Sequence, residues 1–404
     1  MPSNFDNEYA EKILNGYNVL DFTTNISGPS ATAILSDLGA NVIKIEKLPG
    51  GDDSRSMEPS IGDKSAYFIA INRGKKSLAV NIKTREGRNI LNKIIINSDI
   101  IVENFRTDTV NSLGLGYENI KKINDKIIYA SIRSYGNTGP LMNNPGYDAI
   151  IQAETGIMSV NGARAGKPAR VAVSVLDVGS AMWLAMGILG AVIYRERTGK
   201  GMEVTTSLYE TGLYWMNYYI ESYQITKKIP KRAGSEHMSF APYGAFLARD
   251  GYIVIGISND NLFSRLSEAI GMPELKNNPD YITNSERVRH RKKLNRLLGS
   301  VFIKNTSRYW MDLLKRYKVP CARIKDVSEV LKDGQTSAIN PFQVINESGR
   351  KLKIQPVPFK LNNKYFKIER PSPSNGENTY EILYKLGYSQ DEIKKLTSLG
   401  IIKI

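Results

Sequence analysis

The sequence has 404 residues, of which 41% are hydrophobic and 24% charged, an ordinary composition for a globular protein and enough chain for two domains. The net charge of +15 favours polyanionic partners such as nucleic acid, anionic membrane or a phosphorylated small molecule, but the basic residues are dispersed and form no long run or arm, which counts against a nucleic-acid-binding protein. The single cysteine, Cys321, excludes an intrachain disulfide, and His237 and His290 stand far apart with no His/Cys cluster at metal-ligand spacing, so no metal is expected.

The opening MPSNFDNEYAEK lacks a basic-then-apolar signal pattern, and a cytoplasmic setting is expected. YNVLDFT (17–23) reads as a buried strand. SGPSATAILSDLGA then reads as a turn and helix, with Ser27 and Gly28 at its start, Pro29 at the first helical position and Gly39 at its end. NVIKIEK is the next strand. SLAVNI, DIIVENF and KIIYASI continue as strands, separated by helical patterns in KTREGRNILNKIIINS and GYENIKKIN. Strand–helix–strand alternation predicts an α/β fold with an open, mostly parallel sheet over the first 135 residues.

After Tyr135 the texture changes. GNTGPLMNNPGYD is a loop, and helices are expected from about Asp148 and from about Asp177. The apolar stretch from Val173 to Tyr194 is about long enough to span a membrane, but Asp177 within it and its small residues favour a helix packed inside a protein. KGMEVTTS is a strand or turn, and LYETGLYWMNYYIESYQI one aromatic-rich helix. From about Lys228 a second region begins, with a hairpin around Arg249-Asp250-Gly251 and then helices. YKVPCARI begins a return. FQVINESGRKLKIQPVPFKL reads as antiparallel strands, and Ser389 caps a closing helix. The domain reading is 1–225 for a large domain, 226–325 for a smaller α+β domain, and 326–404 for a segment returning to the large one.

No G-x-G-x-x-G or G-x-x-x-x-G-K-[ST] motif exists, so a dinucleotide or P-loop site is unsupported. Ser27 and Gly28 at a helix start can still receive an anion or carbonyl oxygen, although on local grounds a plain strand-to-helix turn is the favoured reading. Lys47, Arg106 and Arg133 fall at carboxyl ends of predicted strands, where ligands collect in parallel sheets. Each alone reads as a solvated charge, and together they suggest a polyphosphate-sized anion site. Asp177 has two compatible readings. Spacing alone makes it a helix N-cap, whereas a helix-terminal carboxylate, kept ionised by amides yet poorly hydrated, is also a nucleophile.

The motifs VLDFTTNISGP, LGANVIKIEK, INRGKKSLAVNIK, DIIVENFR, LGLGYE, YASIRSYGNTGP, PGYDAIIQAETGIMS, LDVGSAMWLAMGILGAVIYRERTGKG and SLYETGL occur in this order. The chain thereby resembles the class III CoA-transferases, densely in its first half and more thinly through APYGAFLARDGYIVIGISND and VPCARI. The resemblance implies a Rossmann-like large domain completed by the C-terminal segment, a small domain, and an interlocked homodimer. It implies that Asp177, in LDVGSAM, is the catalytic nucleophile. It also implies CoA contacts at Lys47, Lys75, Asn104 and Arg133, with Arg73, Tyr135, Ser27 and Arg106 in supporting places, and substrate positions at Ile26, Tyr147 and Asp148. Coenzyme A enters as substrate, with no permanently bound cofactor. The expected partners are an acyl-CoA and a carboxylic acid, with no nucleic acid and no membrane; PGYDAIIQAETGIMS is similar to the corresponding stretch of family members that use succinyl-CoA and dicarboxylic acids.

The chain departs from the family pattern at Ser112, where a basic residue is common, and at Ile26, where formyl-CoA transferases carry Gln. Their glycine-rich lid is not evident near Ser258-Asn259-Asp260. An α-methylacyl-CoA racemase is the alternative, but racemases carry a His-Asp pair where Tyr147-Asp148 stands here. A neutral Tyr is a poor base for α-proton abstraction.

Overall fold

A computed structural model describes residues 8–404, so the first seven residues of the opening stretch lie outside the described residues. The chain divides into two compact units: Met1–Gly156, Val171–Ile220 and Asn340–Ile404 form one, and Ile157–Arg170 with Glu221–Ile339 the other.

The larger unit is built on parallel strands. β1 (Asn18–Asp21) is followed by the helix Ser27–Asp37 and β2 (Asn41–Glu46). A short hairpin, β3 (Ser60–Ile61) and β4 (Lys64–Ser65), precedes β5 (Lys76–Val80), β6 (Ile100–Glu103), β7 (Ile128–Arg133) and β8 (Met202–Ser207). β6 and β7 are buried throughout, as their mainly apolar sequences suit in a sheet covered on both faces, and the two charged residues at their ends, Glu103 and Arg133, pair with each other. One face carries a core of Ile90, Ile94, Leu115, Ile120, Ile382 and Leu396, among others. Over the other packs the long helix Val175–Thr198, against helix Ser27–Asp37 and strands β7 and β8. That long helix has the length and hydropathy to cross a membrane, and half of its most apolar window is buried in the protein.

The smaller unit contains β9 (Tyr243–Ala248), β10 (Gly251–Gly256) and β11 (Cys321–Arg323), paired antiparallel in the order β11-β10-β9. Helices pack on this sheet around Phe263, Leu294, Phe302 and Trp310. Asn259 in the stretch 258–260 caps the helix Asp260–Ala269 through the Leu262 N–H.

The unit boundaries differ from those read in the sequence. Residues 157–170 join the smaller unit, where Arg232 donates to the Gly166 carbonyl and the Gly234 N–H to the Gly162 carbonyl. The return comes at Asn340 rather than 326, because the helices after β11 stay with it through the Arg323–Glu329 and Lys325–Asp333 pairs.

After the antiparallel pair β12 (Gln343–Glu347) and β13 (Arg350–Ile354), the chain ends in β14 (Ile402–Lys403), antiparallel to β5. The large sheet is therefore seven-stranded, β14-β5-β2-β1-β6-β7-β8, and parallel except at β14. Chain order reverses between β1 and β6. In doubly wound sheets ligands bind outside the carboxyl ends of the strands at such a reversal.

Candidate active site

Two cavities open at that place, and Phe105 lines both. The first, about 400 Å³, is bounded by Phe22, Thr23, Thr24, Lys47, Val80, Asn81 and Lys83, at or just past the ends of β1, β2 and β5, together with Lys44 within β2 and Asp52 in the loop after it. The second, about 110 Å³, is bounded by Asn25, Ser27, Asn104, Arg106, Arg133, Asn144, Tyr147 and Asp177, with Met142 and Leu208 adding apolar wall.

The loop between β1 and its helix is fixed from several sides. Thr24 exchanges two hydrogen bonds with the Asn104 amide, at 2.9 and 2.8 Å, which ties the ends of β1 and β6 together. Thr23 donates through its hydroxyl and its N–H to Asp21, and its carbonyl accepts from Lys44 Nζ. Gly28 is required at the helix start: a Cβ there would lie 2.3 Å from Thr23 Cβ. The helix Ser27–Asp37 starts beside the second cavity, which Ser27 lines; Pro29 has no N–H and the Ser30 N–H bonds the Ile26 carbonyl, so the first-turn amides left without an intrahelical partner are those of Ser27 and Gly28.

Not every basic residue named from the sequence reaches a cavity. Lys75 is fully buried and spends its ammonium on Asp21 (3.0 Å), the Pro29 carbonyl (3.0 Å) and Asn72 Oδ1 (2.8 Å). Arg73 forks onto Asp37, which also accepts from the Val357 N–H. Both lie in the framework and line neither cavity. The physical reason is that Asp21 and Asp37 are buried carboxylates whose charge has to be compensated. Tyr135 packs 5.9 Å from the Tyr209 ring, and Ile26 precedes the helix; neither lines a cavity, although Asn25 and Ser27 on either side of Ile26 do. Ser112 ends a short helix, its hydroxyl bonded to the Thr109 carbonyl.

Lys47 lines the larger cavity, paired with Asp53 at 2.5 Å on the open side. Arg133 forks onto Glu103 at 2.6 and 3.0 Å, yet its Nε is buried without a partner. Arg106 has no ion pair among the described residues. Phe105 and Lys44 line the cavities without a role assigned to them from the sequence. Phe105 lies just past the end of β6, and its position between Asn104 and Arg106 is the signal that the sequence offers. Nothing local marked Lys44 as facing a cavity.

Asp177 lies at the third position of the helix Val175–Thr198 and is not its N-cap. The cap is supplied from elsewhere: Asp148 Oδ2 accepts from the N–H groups of Leu176 (2.8 Å) and Asp177 (3.3 Å). The Asp177 carboxylate makes no hydrogen bond among the described residues. Burial, and next the Asp148 charge, push it up to about 7, the reverse of the amide-stabilised carboxylate expected from the sequence. Tyr147 is 72% exposed at the cavity rim, while Asp148 is 5% exposed and committed to helix amides, so this pair does not offer two bases across a substrate carbon.

Residues 14–379 match the model of CoA-transferase family III. The chain is 36% identical over 395 residues to the succinyl-CoA:glutarate CoA-transferase of Mus musculus, covering 97% of this chain and 91% of that protein. It is 38% identical over 343 residues to the acetyl-CoA:oxalate CoA-transferase of Acetobacter aceti, covering 85% and 88%. The crystal structure of a CAIB/BAIF family protein from Brucella suis has the same fold, with a TM-score of 0.83 at 32% identity over 92% of this chain and 99% of that one. With a family match across nearly the whole sequence and transferases of this kind among its relatives, the chain belongs to CoA-transferase family III.

Proposed function

We propose that this enzyme moves CoA from succinyl-CoA, or a similar dicarboxylic acyl-CoA, to a second carboxylic acid, with Asp177 as nucleophile. The observation that carries the reading is the unbonded, basic Asp177 carboxylate on the wall of a cavity beside Asn104, Arg106 and Arg133. The Asp177 oxygen attacks the thioester carbonyl; the C–S bond breaks, and CoA leaves as thiolate from a mixed anhydride. The thiolate attacks the aspartyl carbonyl, expels the donor carboxylate and forms an aspartyl-CoA thioester. The acceptor carboxylate attacks that thioester, releasing thiolate and a new anhydride. Thiolate attack on the acceptor carbonyl then yields the new acyl-CoA and frees Asp177, with no net proton transfer.

The larger cavity suits the CoA nucleotide, with Phe105 and Ile82 as apolar surfaces and Lys47 and Lys83 near phosphate. Arg106, without an ion pair among the described residues, suits the distal carboxylate of a dicarboxylic acid, in keeping with the succinyl-CoA:glutarate activity named for a relative. Each oxyanion would be met by first-turn amides of the helix Ser27–Asp37. Ile132, Phe105, Met142 and Leu208 limit water around an anhydride.

The functional unit in this reading is a homodimer in a reducing, cytoplasmic setting. Its support is an exposed apolar stripe of Val178, Met182 and Met186, one helical face of Val175–Thr198, continued by Leu213, Tyr214 and Trp215. The test of the chemistry is trapping. With acyl-CoA present, hydroxylamine should modify Asp177, and without acyl-CoA it should not. An unmodified Asp177 in an active enzyme overturns the assignment.

A further inference from the structure

The arrangement behind Asp177 has a consequence that rests on the reading of Asp177 as nucleophile. Asp148 opens the helix Asp148–Glu154, and its carboxylate is gripped from two directions. Oδ2 accepts the N–H groups of Leu176 and Asp177, and Oδ1 accepts Gln152 Nε2 at 2.5 Å. Gln152 is itself locked to Val171, accepting its N–H at 2.8 Å and donating to its carbonyl at 3.3 Å. First-turn amides ordinarily stabilise a carboxylate at a helix start. Here two of them are already taken by another carboxylate, which also brings a fixed negative charge.

We propose that Asp148 is a positioning residue for CoA transfer: by occupying the first-turn amides of the helix Val175–Thr198, it leaves the Asp177 carboxylate unbonded and faces it with a like charge. Two effects follow. A carboxylate deprived of donors is more basic and more nucleophilic. Acylation of Asp177 removes its charge, so it relieves the repulsion with Asp148 and favours the covalent intermediate over the free anion. The other titratable or charged groups around the site are Arg106, the Arg133–Glu103 pair and Tyr147 on the cavity wall, and Tyr209 and Glu210 on the helix Leu208–Trp215, with Glu210 bonded to Ser207. Asp148 is the neighbour whose charge acts on Asp177.

The test uses full-length Asp148→Asn and Asp148→Ser variants, both of which keep an oxygen acceptor for the helix amides. Carboxyl ¹³C NMR, with Asp177→Asn as the assignment control, follows the titration of Asp177, and the pH–rate profile of transfer is measured in parallel. The midpoint of Asp177 should move down by about one pH unit. The acidic limb of the profile should move with it, raising relative transfer at pH 6 by roughly five-fold while the alkaline plateau falls. An unmoved midpoint in a folded variant overturns the proposal, and so does a loss of rate that is equal at every pH, the mark of a merely structural role. Should neither variant fold, the wild-type amide protons of Leu176 and Asp177 decide it: shifts that follow a carboxylate titration support the bonds, and their absence overturns them. Because the titration is read without turnover, failure of the hydroxylamine trapping would remove Asp177 as nucleophile and leave the Asp148 result separately legible.

Discussion

Asp177 shows how far a residue's surroundings move its chemistry. In the proposed mechanism the attacking carboxylate has to be ionised, so transfer by the wild type should fall about ten-fold per pH unit below pH 7 and level off above it, as a pH–rate profile would register. The same shift has a stability consequence. The folded state binds this proton more tightly than the unfolded chain, so stability is lost as pH rises from about 4 through 7. Asp177→Asn should therefore raise the melting temperature at pH 8, relieving at most roughly 4 kcal/mol, and leave it nearly unchanged near pH 4, while transfer drops at least ~10³-fold. At Lys75 the expectation changes kind. Its removal strands the buried carboxylate of Asp21, so Lys75→Ala should cost about 3–5 kcal/mol in urea unfolding rather than selectively raise the KM for acyl-CoA. The basic residue types were legible in the sequence, but their assignments were not. Whether a lysine faces a ligand or a buried aspartate 54 residues away depends on contacts that no local pattern records.

At the scale of elements, the strand–helix alternation was readable because it rests on local periodicity. The strands at 18–21, 41–46, 76–80, 100–103 and 128–133 fall inside the stretches read as strands or within one residue of them. The misplacements have nonlocal causes. The long helix begins at Val175 rather than about Asp177 because its cap comes from Asp148. The aromatic-rich stretch forms two helices, Leu208–Trp215 and Asn217–Thr226, instead of one. β14 has only two residues, too few to show a period, and forms because β5 offers it an edge. The tightest element junction is Gly28 against Thr23. Gly28→Ala should destabilise the protein by about 1–3 kcal/mol and weaken acyl-CoA binding, since Thr23 lines the larger cavity; chemical unfolding and KM together would register both effects. Ser389→Ala, by contrast, removes a capping box with Glu392 and should cost about 1 kcal/mol with kcat unchanged.

For the whole molecule, the net charge is a poor guide to the active site. The smaller unit carries twice as many Lys and Arg as Asp and Glu and holds most of the +15, whereas the larger unit with both cavities is nearly balanced. The exposed stripe on the helix Val175–Thr198 bears on assembly. Met186→Lys should shift the protein towards monomer in light scattering at micromolar concentration, and an unchanged mass would remove this stripe from the interface.

The sequence by itself determined the class of fold and the family. Apolar periodicity specifies strands and helices locally, parallel pairing follows from their alternation, and the ordered motifs carry the resemblance that the family match bears out. Only the tertiary structure decided which of the charged side chains are free. Burying a charge demands a partner, and the partner is chosen by which strand ends meet. Asp21 therefore claims Lys75, Asp37 claims Arg73, and the helix amides claim Asp148, which leaves Asp177 unpaired at the cavity.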